Sequence, residues 1–110
     1  MSSFADAYRA LGDPTRREIL RLLREGDLPA GDLARHFEIS WPSVSRHLKV
    51  LEGAGLVGSE RRGGNIIYSL RTSVLEDIAT EVADMAGIGR PSHLAKASRT
   101  PSRRGQPQGS

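Results

Sequence analysis

Apolar positions recur along this chain at two different periods, and the places where the period changes mark its elements. The narrowest apolar stripe lies between Ile39 and Leu51. At about 100° per residue, Val44, Leu48 and Leu51 fall within about 60° of one another, as in a helix anchored along one side. The opposite side carries Pro42, Arg46 and Lys49, with Ser43 and Ser45 on its flanks, and Ser40 stands where an N-cap would. Small hydroxyls near a helix start and cations further along suit the DNA major groove, where the first residues of a recognition helix touch base edges. A solvated amphipathic helix in any small domain would carry the same pattern, so the flanking segments have to decide.

Phe4, Ala5, Tyr8 and Leu11 follow helical spacing and predict a first helix over about residues 3–11. It is too short to stand alone and needs a surface from its own domain or from a second subunit. Gly12 ends it. Asp13-Pro14 restarts the chain, because Asp accepts from the free N–H groups of the next turn and Pro loses nothing at the first helical position. The second helix runs to about Glu25 with Ile19, Leu20 and Leu23 inward. Its Arg16, Arg17, Arg21 and Arg24 read as a solvated face paired with Glu18 and Glu25 rather than as phosphate contacts. Gly26-Asp27 is a turn. A third helix from about Ala30 to His36 buries Leu33, Ala34 and Phe37, with Asp32 placed to accept near its start.

Two short helices joined by about four residues, the second polar on its outer side, form the helix-turn-helix pattern. After Leu51 the period shortens. Gly53 and Gly55 end the helix, and Leu56–Arg61 and Asn65–Leu70 are strand candidates on either side of Arg62-Gly63-Gly64. Gly-Gly between β-rich runs signals a hairpin. A hairpin tipped by arginine directly after a helix-turn-helix is a winged helix, so the predicted fold is mainly α with a small β-hairpin wing, in the order α-α-α-α-β-β-α. Thr72-Ser73 offers a fresh N-cap to a last helix in which Val74, Leu75, Ile78, Val82 and Met85 recur out to Gly87. The three-helix core and hairpin can close without that helix. It and the first helix are therefore candidates for a subunit interface, through Phe4, Tyr8, Val74, Ile78, Val82 and Met85.

Length and composition then narrow the function classes. The 110 residues support one domain with a modest core, built from Leu, Ile, Val and Ala because aromatics make up only 5%. Residues 1–88 are assigned to a winged-helix DNA-binding and dimerisation domain. From residue 89 the composition turns to Pro, Ser, Gly, Gln and basic residues, which predicts a disordered basic tail over 89–110. Five of the sixteen Lys and Arg lie in that tail, leaving eleven against thirteen acids before it. The net charge of +3 thus comes from the tail, and a DNA argument for the body must rest on a local patch. No cysteine is present, which excludes a disulfide framework and thiolate metal sites. No apolar run approaches the roughly 18 residues of a membrane span, and Met1–Leu11 lacks the pattern of a signal peptide. A cytoplasmic protein without membrane association is expected.

The order of elements, together with Leu11–Leu20 (LGDPTRREIL), Ser43–Leu51 (SVSRHLKVL), Ala54–Val57 (AGLV) and Tyr68–Leu70 (YSL), strongly resembles the ArsR/SmtB family of bacterial winged-helix repressors over about residues 4–86. The run Ile39–Leu48 is most similar to the SdpR-type autorepressor branch, whose members carry Ser-x-Pro-Ser near the helix start. The resemblance implies a homodimer joined through its first and last helices, binding an imperfect palindrome in a double-stranded DNA operator and repressing transcription, in that branch of its own gene. Base and phosphate contacts then fall on Trp41, Pro42, Ser45 and Arg46, with Ser43 and Lys49 on the same helix. Arg46 can meet a guanine edge bidentately and Ser45 can reach a base or phosphate, whereas Trp41 either reads DNA or packs beside the third helix. Arg61 and Arg62 in the wing are expected at phosphates or in the minor groove. Asn65 and Tyr68 are expected to be structural, and His47 a partly buried histidine bonded to backbone.

The departures from the family pattern bear on the signal. Metal-sensing relatives place Cys-x-Cys where this chain has Pro29 and Gly31, and others use a histidine on the last helix, where Thr72–Gly87 has none. His36, His47 and His93 have no ligand spacing. No metal, cofactor or catalytic residue is therefore expected, and the effector is left unassigned. The pattern offers an enzyme no nucleophile elbow and no phosphate-cradling loop. Two other readings stay open: a winged-helix module for protein association, and a repressor with a non-family small-molecule effector at the dimer interface. The first would show exposed aliphatics on the outer face of the fourth helix, where this chain has Ser45, Arg46 and Lys49 beside one tryptophan.

Overall fold

The computed structural model describes residues 4–88, so the predicted basic tail lies outside the described residues. The elements run α1 (Phe4–Leu11), α2 (Pro14–Glu25), β1 (Leu28–Pro29), α3 (Ala30–His36), α4 (Trp41–Gly53), β2 (Val57–Arg62), β3 (Asn65–Leu70) and α5 (Thr72–Ala86). This is the predicted winged helix with one addition. β1 pairs antiparallel with β3, Leu28 opposite Tyr68 and Pro29 opposite Ile67, giving a three-stranded sheet of order β1-β3-β2. Pro29 has no N–H to give a ladder, and it stands on the edge strand, where that costs nothing further. Compact units divide within α5: the first ends at Ile78, and the described part of the second is residues 79–88.

The breaks between helices are built as their residues require. Asp13 sits in extended backbone and its carboxylate accepts from the N–H groups of Thr15 at 2.8 Å and Arg16 at 3.3 Å, with Pro14 opening the helix behind it. Ser40 caps α4 in the same way, accepting from the Ser43 N–H at 3.4 Å, again with proline in the first turn. At the other end of α4, Gly55 takes φ 79°, its N–H donating to the Glu52 carbonyl at 3.0 Å, while the Leu56 N–H donates to Leu51 at 3.0 Å. That pair of bonds is the Schellman motif, and it turns the chain directly into β2. β2 and β3 pair from Val57–Leu70 to Arg62–Asn65 around Gly63-Gly64, with Gly63 at φ 61°. The last helix begins at Thr72 itself, one residue before Thr72 could serve as its cap.

One core joins these elements. Ile19, Leu33, Val44, Leu48, Leu51 and Leu56 are completely or almost completely enclosed, with Ala10, Leu20, Leu23, Ala54, Val57 and Tyr68 closing around them. The predicted stripes of α2 and α4 are thus the buried ones. On α1 the buried positions are instead Ala7 and Ala10, while Phe4 and Tyr8 stand 40% and 37% exposed. α1 packs against both α2 and α4, and alanine lets a helix approach its neighbours more closely than a ring would. In α3 Leu33 is buried, whereas Ala34 and Phe37 are only partly covered.

The candidate nucleic-acid interface

Burying Val44, Leu48 and Leu51 fixes the rotation of α4 and turns its opposite side to solvent. There Trp41, Pro42, Ser45, Arg46 and Lys49 line one shallow concavity. Five residues assigned to DNA from the sequence are therefore brought together on one surface. Trp41 is 42% exposed at the first position of the helix, with its side chain in that concavity. Arg46 and Lys49 are exposed and form no ion pair among the described residues. Ser43 differs from the other five: its hydroxyl accepts from that of Ser40 at 3.2 Å, so it belongs to the cap as well as to the flank of this face.

The wing supplies two more cations. Arg61 and Arg62 are exposed near the tip of the hairpin, opposite Ile66 and Asn65 respectively. Arg62 meets Glu60 at 3.1 Å, both side chains being more than 60% exposed. An ion pair so open contributes about 0–1 kcal/mol, little enough for a phosphate to replace the carboxylate. At the other end of β2, the Ser59 hydroxyl donates to Glu52 of α4 at 2.8 Å, and the Arg71 N–H donates to the Leu56 carbonyl at 2.9 Å. The first of these bonds ties β2 to the last turn of α4, and the second closes the base of the hairpin. Tyr68 is buried in the sheet, where burial and the neighbouring Glu52 charge push its phenol up from its ordinary value. Asn65 is exposed in the last β2–β3 pair.

Several side chains stand elsewhere than the sequence suggested. Of the proposed dimer contacts, Ile78 is 3% exposed and so enclosed within its own chain, while Val74 is partly buried against the core. Val82 and Met85 are 44% and 71% exposed. Of the four arginines on α2, Arg21 does pair with Glu18, at 3.4 Å. Arg16 and Arg17 reach back instead to the carbonyl end of α1, Arg17 donating to the Leu11 carbonyl at 2.8 Å. Arg16 donates through Nε to the Ala10 carbonyl at 2.7 Å and through Nη2 to that of Arg9 at 3.1 Å. Asp32 is engaged by Arg35 rather than by the helix start. His47 is partly buried as expected, but its Nδ1 faces Arg16 Nη1 at 3.2 Å rather than backbone.

Burial works to raise the pKa of the Asp13 carboxyl. The Arg16 and Thr15 N–H groups, with the charges of His47 and Arg16, outweigh it and hold the carboxyl below its ordinary value. His36 lies 3.5 Å from Glu18. No cluster of three or more His, Cys, Asp or Glu suited to a metal occurs among the described residues. No helix among them is long and apolar enough to cross a membrane.

A helix rotated by its core so that small, aromatic and cationic side chains share one open face, followed by a hairpin with exposed arginines, defines a winged helix-turn-helix DNA-binding protein. Known proteins agree with that class. The profile of the bacterial regulatory proteins of the arsR family matches residues 13–59, from the cap of α2 into the wing. SdpR, a transcriptional repressor of Bacillus subtilis (strain 168), is 51% identical over 72 residues, covering 66% of this chain and 80% of that repressor. An arsenical resistance operon repressor of Staphylococcus xylosus is 41% identical over 70 residues, 64% of this chain and 67% of that one. Among solved structures, an ArsR-like transcriptional regulator from Rhodococcus sp. RHA1 matches with a TM-score of 0.71 at 32% identity, covering 76% of each chain. The chain belongs to the ArsR family: it is a DNA-binding transcriptional regulator of a class of repressors, not an enzyme.

Proposed function

We propose that this protein is a homodimeric repressor that binds a palindromic operator sequence-specifically, with α4 in the major groove of each half-site and the wing beside it. The observation that carries the reading is the single open face of α4. Arg46 and Lys49 point away from the buried stripe without ion partners among the described residues, next to Trp41, Pro42 and Ser45. A guanidinium so placed can take the two acceptors of a guanine, and Lys49, further along, meets phosphate. Ser43 stays on the flank, and Arg61 and Arg62 supply phosphate or minor-groove contacts from the wing.

Dimerisation is assigned to two exposed apolar sets, Phe4 with Tyr8 on α1 and Val82 with Met85 on the last turns of α5, each covered by a second copy. The resemblance of Ile39–Leu48 to the SdpR-type autorepressor branch extends the proposal to the protein's own gene as one target. The test is direct: titrate the purified chain against its own promoter fragment and against scrambled DNA of the same length. Preference for the promoter, with a two-fold symmetric footprint, is expected. Equal affinity for both duplexes would overturn the autoregulatory part.

A further inference from the structure

The recognition helix is held from behind by a side chain that touches no proposed DNA contact. Arg16, in the first turn of α2, spends three donors on two other helices. Two go to the Ala10 and Arg9 carbonyls at the end of α1, at 2.7 and 3.1 Å, and the third meets Nδ1 of His47 on α4 at 3.2 Å. Arg16 comes from beyond the break at Gly12-Asp13, so one guanidinium both satisfies terminal carbonyls of α1 and spans from α1 to α4. An arginine has donors only. Nδ1 must therefore hold the lone pair in this contact, and the ring proton of a neutral His47 must sit on Nε2. A protonated His47 has no acceptor left and would place two cations at hydrogen-bond distance.

We propose that Arg16 is a positioning residue for DNA recognition, fixing α4 against the end of α1 through His47, and that it does so only while His47 is neutral. This rests on the DNA-binding reading of α4. The charged groups that α2 brings to the imidazole are Arg16, at hydrogen-bond distance, and Asp13 at the helix cap. α1 gives Arg16 the carbonyls of Ala10 and Arg9, and the Asp6 and Arg9 side chains of that helix pair with each other at 3.2 Å. On α4 itself, the neighbouring Arg46 is exposed and lines the DNA-facing concavity. Protonating Nδ1 removes the acceptor, so the contact exists only with the unprotonated ring.

The test uses the full chain in two arms. The first needs no DNA: long-range proton–nitrogen NMR reads the His47 tautomer, assigned by comparison with His47→Asn. Nε2–H with an unprotonated Nδ1 is expected at about pH 8, and the opposite tautomer overturns the proposal. The second arm measures operator and scrambled DNA side by side. Protonating any histidine adds a cation and strengthens binding to all DNA, so the ratio of the two affinities is the informative quantity. For the wild type it is expected to fall about tenfold between the pH at which the NMR arm finds Nδ1 unprotonated and the pH at which it finds the ring protonated.

His47→Ala should lower the ratio at both pH values, and His47→Asn, whose Oδ1 can accept from Arg16 without titrating, should restore it and remove the pH dependence. Arg16→Lys keeps the charge but cannot span both helices, and should also lose the ratio. An unchanged pH profile in His47→Asn, or full operator preference in Arg16→Lys, would overturn the proposal. The predicted tautomer with no DNA preference at any pH would place the fault in the DNA-binding reading instead.

Discussion

Replacing Arg46 by alanine separates recognition from folding more cleanly than any other change on α4. The side chain is exposed, lies opposite the Val44/Leu48/Leu51 stripe and pairs with no acid among the described residues. Its removal opens no cavity and strands no partner, so stability should change by no more than about 0.5 kcal/mol. Binding should change far more. One bidentate arginine–guanine contact discriminates by about 1–3 kcal/mol. A two-fold complex contains two, so Arg46→Ala should cost about 2–6 kcal/mol of operator binding, thirtyfold or more at about 1.4 kcal/mol per factor of ten.

Lys49 lines the same concavity further along α4, and in the proposed docking it meets phosphate alone. Lys49→Ala should therefore weaken operator and scrambled duplex alike and lower the dependence of log K on log salt by about one per subunit. The assay is a fluorescence titration of both variants against both duplexes at two salt concentrations, with thermal unfolding as the control for folding. If Arg46→Ala binds operator like the wild type, or loses affinity for both duplexes equally, then Arg46 is not the base reader and α4 docks in another orientation.

Three further outcomes follow from the packing, the caps and the exposed apolar positions. Leu48→Ala empties a fully enclosed site at the centre of the α4 stripe and should destabilise the domain by about 2–5 kcal/mol, read by denaturant unfolding. A loss under about 1 kcal/mol would show that the site collapses or is not core. Asp13→Ala removes the cap of α2 and should cost about 0.5–2 kcal/mol near neutral pH. The Asp13 carboxyl is held below its ordinary value in the folded state, so its contribution is complete above the unfolded pKa and disappears as pH falls through the folded one. Wild type and Asp13→Ala should thus converge in stability in acid, and a constant difference down to about pH 2 would contradict the cap. Val82→Glu introduces a carboxylate at a position open in the single chain, so it should leave a folded protomer and shift sedimentation from dimer to monomer. An unchanged dimer would remove Val82 from the interface.

The parts of this molecule that short-range chemistry determines are legible in the sequence. Asp13-Pro14 and Ser40 with Pro42 announce helix starts because their side chains and fixed φ act within a few residues, and both helices begin where those signals stand. The narrow stripe of α4 decides which side faces out, and so places Trp41, Pro42, Ser45, Arg46 and Lys49 on one surface. What escaped was set by partners distant in sequence. β1 has two residues, one a proline, and is a strand only because β3 lies beside it. On α1 side-chain size points to Phe4 and Tyr8, while close helix approach buries Ala7 and Ala10.

Arg16 and Arg17 looked like members of a solvated charged face because acids stood nearby in sequence. Their length lets them reach carbonyls across the Gly12 break instead. The available signal was an arginine pair one turn after a helix stop, where the preceding helix leaves terminal carbonyls in need of donors. Periodicity places Ile78 in one stripe with Val82 and Met85, and it does not say which part of a stripe its own chain covers.

Selection from a random DNA library with the purified 110-residue chain tests the central claim most directly. If α4 reads bases from a symmetric dimer, the bound fragments should converge on an inverted repeat whose half-sites lie about one helical turn apart, about 10 base pairs or a multiple of it. A guanine should be fixed in each half-site, and that preference should be lost with Arg46→Ala. Fragments that stay unenriched, or that converge on a single unpaired half-site, would contradict a dimeric repressor reading DNA through this face.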